Sequence, residues 1–205
     1  MKQEIADRLT ALRALMAQKG VQATVIPQTD PHQSEYISAH WQVRRHFSGF
    51  TGSAGSLVVT ADKALLWTDS RYFLQAADQL ADTGIVLMKE GLIETPSIED
   101  WLCDNLQKGD TVGIDGMVYS ATATAQLKGA LGKAGVKVTT EFAPSDAWTD
   151  RPALPQGKAF VHDAKYAGRT AADKLRGILD EAAKSQAASV FISALDEIAW
   201  ALNLR

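Results

Sequence analysis

Three glycines spaced by three, Gly49, Gly52 and Gly55, lie in the stretch RRHFSGFTGSAG (44–55), and glycine turns of this kind can cradle phosphate. This stretch lacks the GxGxxG spacing and carries no P-loop lysine. It also runs into a strand pattern rather than a helix, whose N-terminal N–H groups would hold the anion. The spacing therefore predicts tight turns beside a sheet. Ser48 and Ser53 sit outside any G-x-S-x-G elbow and read as turn formers rather than nucleophiles. His32 and Glu35 stand i,i+3 with Asp30 beside them, and Asp69 and Asp115 add carboxylates. No HExxH or CxxC accompanies them, and His32, His40, His46 and His162 show no ligand spacing as a set, so no metal site is expected within this chain.

Arg71 is the more telling residue. It follows Asp69 and Ser70 and precedes Tyr72 and Phe73, in the first turn of a predicted helix. A cation there opposes the helix dipole. Either Arg71 pairs with Asp69 or another nearby acid, or its guanidinium is aimed at a carboxylate or a peptide carbonyl. Glu35 and Tyr36 carry the same ambiguity: they brace a long loop or they face a partner.

These residues need elements to place them. Ile5, Leu9, Leu12 and Met16 recur at helical spacing, which predicts a helix over 3–19 ending at Gly20. A buried strand follows at 23–27, then a polar, irregular stretch over 28–48. Apolar runs at 56–60 and 64–68 with a turn at 61–63 predict a hairpin. Asp69 or Ser70 caps the next helix, whose face carries Phe73, Ala76, Ala77 and Leu80. Strands are expected at 85–89, 111–115 and 136–140. One helix starts at Thr95-Pro96 and buries Ile98, Trp101, Leu102 and Leu106; another spans 120–134. Helices alternating with strands around an antiparallel hairpin predict an α/β fold: a mixed β-sheet flanked by helices.

The prolines in APSDAWTDRPALPQG (143–157) read as a linker. Beyond it the pattern predicts strands at 159–161 and 189–194, a helix capped by Thr170 with Leu175, Ile178, Leu179 and Ala182 on its face, and a helix over 196–204. Residues 172–192 align without gaps with 6–26, matching Asp7, Leu9, Leu12 and Ile26 to Asp173, Leu175, Ile178 and Ile192. The alignment raises a second copy of the first domain, although any helix–turn–strand unit aligns comparably well.

Composition bounds the function. The chain has 205 residues, 21 basic and 24 acidic, for a net charge of −3, so no basic footprint for nucleic acid is present. No apolar run reaches the ~18 residues of a membrane span. The N-terminus reads as a charged amphipathic helix rather than a signal peptide. The single Cys103 excludes an intrachain disulfide, fits a reducing cytoplasm and is expected to be a buried structural thiol.

DPHQSEY (30–36), RRHFSGFTGSAG (44–55), WTDSRYFLQA (67–76), WTDRP (148–152) and ALDEIAWALNLR (194–205) together resemble the Xaa-Pro aminopeptidases of the creatinase/prolidase-like metallopeptidases. The resemblance implies a creatinase-type N-terminal domain over 1–152, a linker over 153–157 and the truncated start of a related second α/β domain over 158–205. It also implies that the catalytic domain, which in the family supplies two Asp, one His and two Glu to a pair of divalent metals, usually manganese, is missing from this chain. No metal ligand or catalytic residue maps onto this chain, which by itself is expected to be inactive. The parent would be a cytoplasmic homodimer acting on peptides with proline at the second position. Its first domain would cap the active-site cleft and support dimerisation, with Arg71 at the substrate-pocket rim and Glu35 in a supporting loop. A prolidase- or creatinase-type hydrolase and a stand-alone α/β binding module are the alternatives; a nucleotide-binding domain rests on fold alone.

Overall fold

The computed structural model describes residues 2–205. The chain divides into two compact units, one running through Pro31 and over Glu35–Leu154, the other formed by His32–Ser34 and Pro155–Arg205.

The first unit is built on a six-stranded mixed sheet in the order β4-β3-β2-β1-β5-β6. Its strands are β1 (Ala23–Ile26), β2 (Ser56–Thr60), β3 (Ala64–Thr68), β4 (Val86–Lys89), β5 (Thr111–Gly113) and β6 (Lys137–Thr139). β2 is antiparallel to both β1 and β3, and every other neighbouring pair is parallel. The hairpin strands alternate between two cores. Leu57, Val59 and Leu66 face one that includes Ile5, Leu9, Leu12 and Met16 of α1 (Lys2–Lys19). Val58, Leu65 and Trp67 face the other, with Trp101 and Leu102 of α4 (Ile98–Asn105) and Leu127 and Leu131 of α5 (Ala121–Lys133). A strand buried on both faces reads as a continuous apolar run, which is why the hairpin stood out.

Several expectations need correction. The polar stretch 28–48 is not irregular throughout: it holds a 3₁₀ turn (Ala39–Trp41) and α2 (Val43–Ser48), which buries Arg44, His46, Phe47 and Ser48. Six residues give too few turns for periodicity to register. Ser97, not Thr95, caps α4, because its Oγ accepts the Asp100 N–H at 3.0 Å while the Pro96 carbonyl accepts the Trp67 indole N–H at 2.9 Å. In α3 (Phe73–Gln79) Ala76 is buried but Ala77 is exposed. The proline-rich stretch does not begin as a linker: Pro144–Ala147 forms a 3₁₀ turn with Pro144 and Ser145 buried. Cys103 is half-buried, and burial raises its thiol pKa.

The second unit holds α6 (Ala164–Ala167), α7 (Ala171–Lys184) and α8 (Leu195–Leu202). The strands expected at 159–161 and 189–194 do not form, apart from one bridge from Val161 to Leu204. A strand needs a neighbour to satisfy its backbone, and Val190 and Phe191 have none and lie exposed. The α7 face is likewise open at Leu175 and Leu179.

The alignment of 6–26 with 172–192 extends to atomic detail. α1 ends with Gly20 at φ +66°, with N–H bonds from Gly20 to the Ala17 carbonyl and from Val21 to the Met16 carbonyl. α7 ends with Gln186 at φ +57°, bonded to Ala183, and Ala187 bonded to Ala182. Both are Schellman caps in the same register. Arg8 donates to the His46 carbonyl at 2.9 Å, three residues before left-handed Gly49. Lys174, aligned with Arg8, donates to the Trp200 carbonyl at 2.9 Å, three residues before left-handed Asn203.

The glycines set the tolerances at the open end of the hairpin. A Cβ on Gly55, at φ +133°, would stand 2.4 Å from the Trp67 carbonyl oxygen, and one on Gly52 would stand 2.3 Å from the Phe50 ring. Gly52→Ala is expected to cost about 1–3 kcal/mol by overpacking. Gly55→Ala should cost more, because the atom in its way is β3 backbone and cannot swing aside. Gly132→Ala, an open helical position, should be neutral or mildly stabilising. Urea unfolding measures all three, and a Gly55→Ala protein as stable as the wild type would refute the close-approach account.

Candidate functional site

The glycine loop 49–55 and the β3–α3 junction form one surface at the open end of the hairpin. Asp69 caps the 3₁₀ turn Ser70–Tyr72 by accepting the Arg71 N–H at 3.0 Å. The same carboxylate takes the Arg71 side chain in a fork, Nε to Oδ1 at 3.0 Å and Nη2 to Oδ2 at 2.8 Å. Arg71 thereby holds the Asp69 carboxyl below its ordinary range, and Asp69 raises the pKa of Arg71 in return. The sequence left pairing and recognition as rival readings. The fork meets the first, yet the Arg71 side chain remains 68% exposed, and a guanidinium has five donors.

Around this pair the surface is polar and cross-linked. Ser53 Oγ and the Tyr72 hydroxyl lie 2.7 Å apart, which lowers the Tyr72 pKa. Gln79 accepts the Thr51 N–H at 2.9 Å, and Gln75 donates to the Thr51 hydroxyl at 2.8 Å. Tyr36 and Leu74 are 87% and 90% exposed. Glu35 is also exposed, and its charge contributes to raising the Arg71 pKa.

Arg44, which has no separate role in the sequence reading, lies beneath the loop and is fully buried. Its Nη2 donates to the Gly52 carbonyl, its Nη1 to the Gly55 carbonyl at 3.4 Å, and its guanidinium lies 4.7 Å from the centre of the Phe50 ring. Among the described residues no carboxylate pairs with it. Burial lowers its pKa to about 10, so it stays charged at neutral pH. A cation in a polar-looking loop between apolar Val43 and Phe47 was the available signal.

The other sequence candidates do not assemble. Gln33, between His32 and Glu35, has φ +57°, so the i,i+3 pair lies on no helix, and His32 Nδ1 lies 2.9 Å from the Ser193 carbonyl oxygen. Among the described residues no group of three His, Cys, Asp or Glu comes together to hold a metal. No helix there is long and apolar enough to cross a membrane. The glycine loop leads into β2 rather than into a helix.

His46 and the WTDRP segment close the back of the site. The His46 ring stacks on Trp148 at 4.1 Å. Arg151 donates to the His40 carbonyl at 2.8 Å and lies over the Trp41 ring at 4.9 Å. Burial, seconded by Arg8 and opposed by Asp150, lowers the His46 pKa to about 4.

Two family models match, both described as Creatinase/Prolidase N-terminal domain, one over residues 8–151 and one over 150–205. A probable Xaa-Pro aminopeptidase P from Sordaria macrospora is 45% identical over 97% of this chain and 33% of its own length. Aminopeptidase P2 from Arabidopsis thaliana is 41% identical over 98% of this chain and 29% of its own. The crystal structure of an X-prolyl aminopeptidase from Caenorhabditis elegans, described as a cytosolic enzyme with a di-nuclear active site, superposes with a TM-score of 0.87 at 32% identity, covering 98% of this chain and 34% of that one. The chain thus spans about a third of the length of the relatives it matches.

The His46 stack gives a pH dependence with a definite sign. The folded pKa lies below the ordinary 6.5, so the unfolded chain binds the proton first. The contribution of the neutral ring is complete above pH 6.5 and is lost as pH falls through about 4. Chemical denaturation at pH 7 and pH 4.5 should show a steeper loss for the wild type than for His46→Gln. Equal losses would mean that His46 does not titrate in the folded state as its burial requires.

Proposed function

The chain belongs to the creatinase/prolidase N-terminal domain family, and from that premise we propose that it is the N-terminal, non-catalytic portion of an Xaa-Pro aminopeptidase. The observation that carries this reading is the 45% identity to a probable Xaa-Pro aminopeptidase P over 97% of the chain, against only 33% of that relative's length. The parent enzyme would hydrolyse the bond between an N-terminal residue and a following proline. The described residues offer no cluster fit to hold a metal, so two divalent metals, with manganese the proposed identity, would be held by residues outside this chain. No step of peptide cleavage is assigned to a residue here.

What this chain contributes in the proposal is a boundary. Residues 1–152 form the first domain, 153–157 a linker and 158–205 the start of a second, related one. The first domain caps the active-site cleft of a cytoplasmic homodimer and narrows it for chains with a free N-terminus. Arg71 stands at the rim, where its unused N–H donors meet a substrate carbonyl or carboxylate. Glu35 supports the rim through its charge near Arg71. An ion pair already closed on Asp69 favours a guanidinium held in one orientation over one that must be ordered on binding.

Reading the coding sequence beyond Arg205 is the first test: Asp, His and Glu ligand positions downstream support the enzyme, and a stop codon supports a stand-alone binding module. In the longer enzyme, Arg71→Ala should lower kcat/KM on an Xaa-Pro peptide by about 10–100-fold, the worth of one hydrogen bond to a charged group, with unfolding unchanged. Wild-type kcat/KM would remove Arg71 from the rim. The 205-residue chain alone, supplied with Mn²⁺, should release no N-terminal residue; measurable release would overturn the non-catalytic assignment.

A further inference from the structure

The exposed Arg71 and the buried Arg44 are the two ends of one stack. The Arg44 guanidinium carbon lies 4.7 Å from the centre of the Phe50 ring. The Phe50 ring meets the Tyr72 ring edge-on, with centres 5.9 Å apart at 83°. The Tyr72 ring lies 5.3 Å from the guanidinium carbon of Arg71. Both cations sit over ring faces, where the aromatic quadrupole is negative, and the rings between them take the edge-to-face arrangement that the same quadrupole favours.

Gly52 is threaded between the two rings. A Cβ there would stand 2.3 Å from Phe50 Cζ and 2.8 Å from Tyr72 Cδ1. Its carbonyl is at the same time one of the two acceptors of Arg44. The loop that separates the rings is thus tied to the buried cation by its backbone, and to Tyr72 through the Ser53 hydroxyl at 2.7 Å. Arg71 itself is held by the fork on the half-buried Asp69 carboxylate, two residues away, and by the ring of its neighbour Tyr72.

We propose that Arg44 is the positioning residue of the rim: its buried guanidinium fixes Phe50 and the Gly52 carbonyl, these fix Tyr72, and Tyr72 fixes the orientation of Arg71. This rests on the reading of Arg71 as a rim residue. Arg44 touches no substrate in this scheme. Lysine cannot replace it, because one ammonium cannot bridge two carbonyls in a planar fork and lie flat on a ring as well.

The test reads the geometry of Arg71 rather than turnover, so its failure is distinct from the failure of the Arg71→Ala kinetics. In the 15N-labelled chain the Arg71 Nε–H resonance is identified by its loss in Arg71→Lys. In folded Arg44→Lys this resonance should shift, and its exchange with water should quicken by about tenfold as the fork on Asp69 opens more often. A folded Arg44→Lys protein with the resonance in place and its exchange unchanged overturns the proposal. If Arg44→Lys does not fold, Phe50→Leu decides, since it keeps an apolar core residue and removes the ring between the cations. The same shift is expected there, and an unmoved Arg71 resonance again overturns the relay.

Discussion

A guanidinium removed from water must find its counter-dipoles inside the chain, and Arg44 finds them in the carbonyls of Gly52 and Gly55 and in the face of Phe50. Leaving such a charge unsatisfied would cost several kcal/mol, so the loop must close over it in one way. That requirement fixes the glycines. For the loop to meet Arg44, Gly55 must pass close to the Trp67 carbonyl at positive φ, and Gly52 must slip between Phe50 and Tyr72. In the spacing that resembled an anion cradle, Gly49 is the left-handed cap of α2, and Gly52 and Gly55 belong to a backbone wrapped around a cation. Its carbonyls point inward, the reverse of a phosphate loop, whose N–H groups face the ligand.

The same cation ties local elements into one unit. α2 places Arg44 toward the loop while its last turn presents the His46 carbonyl to Arg8 of α1 and the His46 ring to Trp148. Phe47, from the same turn, joins the core beneath the hairpin. The WTDRP segment then closes over this helix through Trp148 and over the preceding 3₁₀ turn, with Arg151 on Trp41 and the Pro152 carbonyl 2.7 Å from His40 Nδ1. A short helix with little stability of its own is held from four sides, by α1, the glycine loop, the sheet and the WTDRP strap.

What was legible in the sequence were the elements that carry their own signals. The hairpin was read to the residue, because two apolar runs and a three-residue turn leave no competing register. α1 and α5 followed from periodicity and capping chemistry, and a cap was expected at Asp69 or Ser70, of which the structure uses Asp69. What failed depended on partners distant in sequence. Residues 189–194 have strand composition, but composition supplies no neighbouring strand. Thr95 and Ser97 are both good caps, and the choice was made by the Trp67 indole, 30 residues away in sequence from Ser97. Arg44 was ambiguous for the same reason: despite its apolar neighbours Val43 and Phe47, an arginine in a polar stretch reads as solvated until the carbonyls that receive it are known.

The Asp69–Arg71 pair has an economy that limits what could approach it. Asp69 caps the 3₁₀ turn through Oδ1 and holds the Arg71 side chain through Oδ1 and Oδ2, so one oxygen serves both roles. An incoming carboxylate could compete for Arg71 only by opening a fork whose other half is the turn's own cap, so displacing Asp69 would loosen the helix that presents the site. An acceptor that uses the remaining outward donors and leaves the fork closed meets no such cost. A peptide carbonyl or a single carboxylate oxygen approaching from solvent fits that condition; a bidentate acid taking the Nε–Nη2 edge does not. The geometry of the pair therefore favours end-on contact with one acceptor oxygen over a two-oxygen grip on the Nε–Nη2 edge, and this preference follows from the double duty of one aspartate.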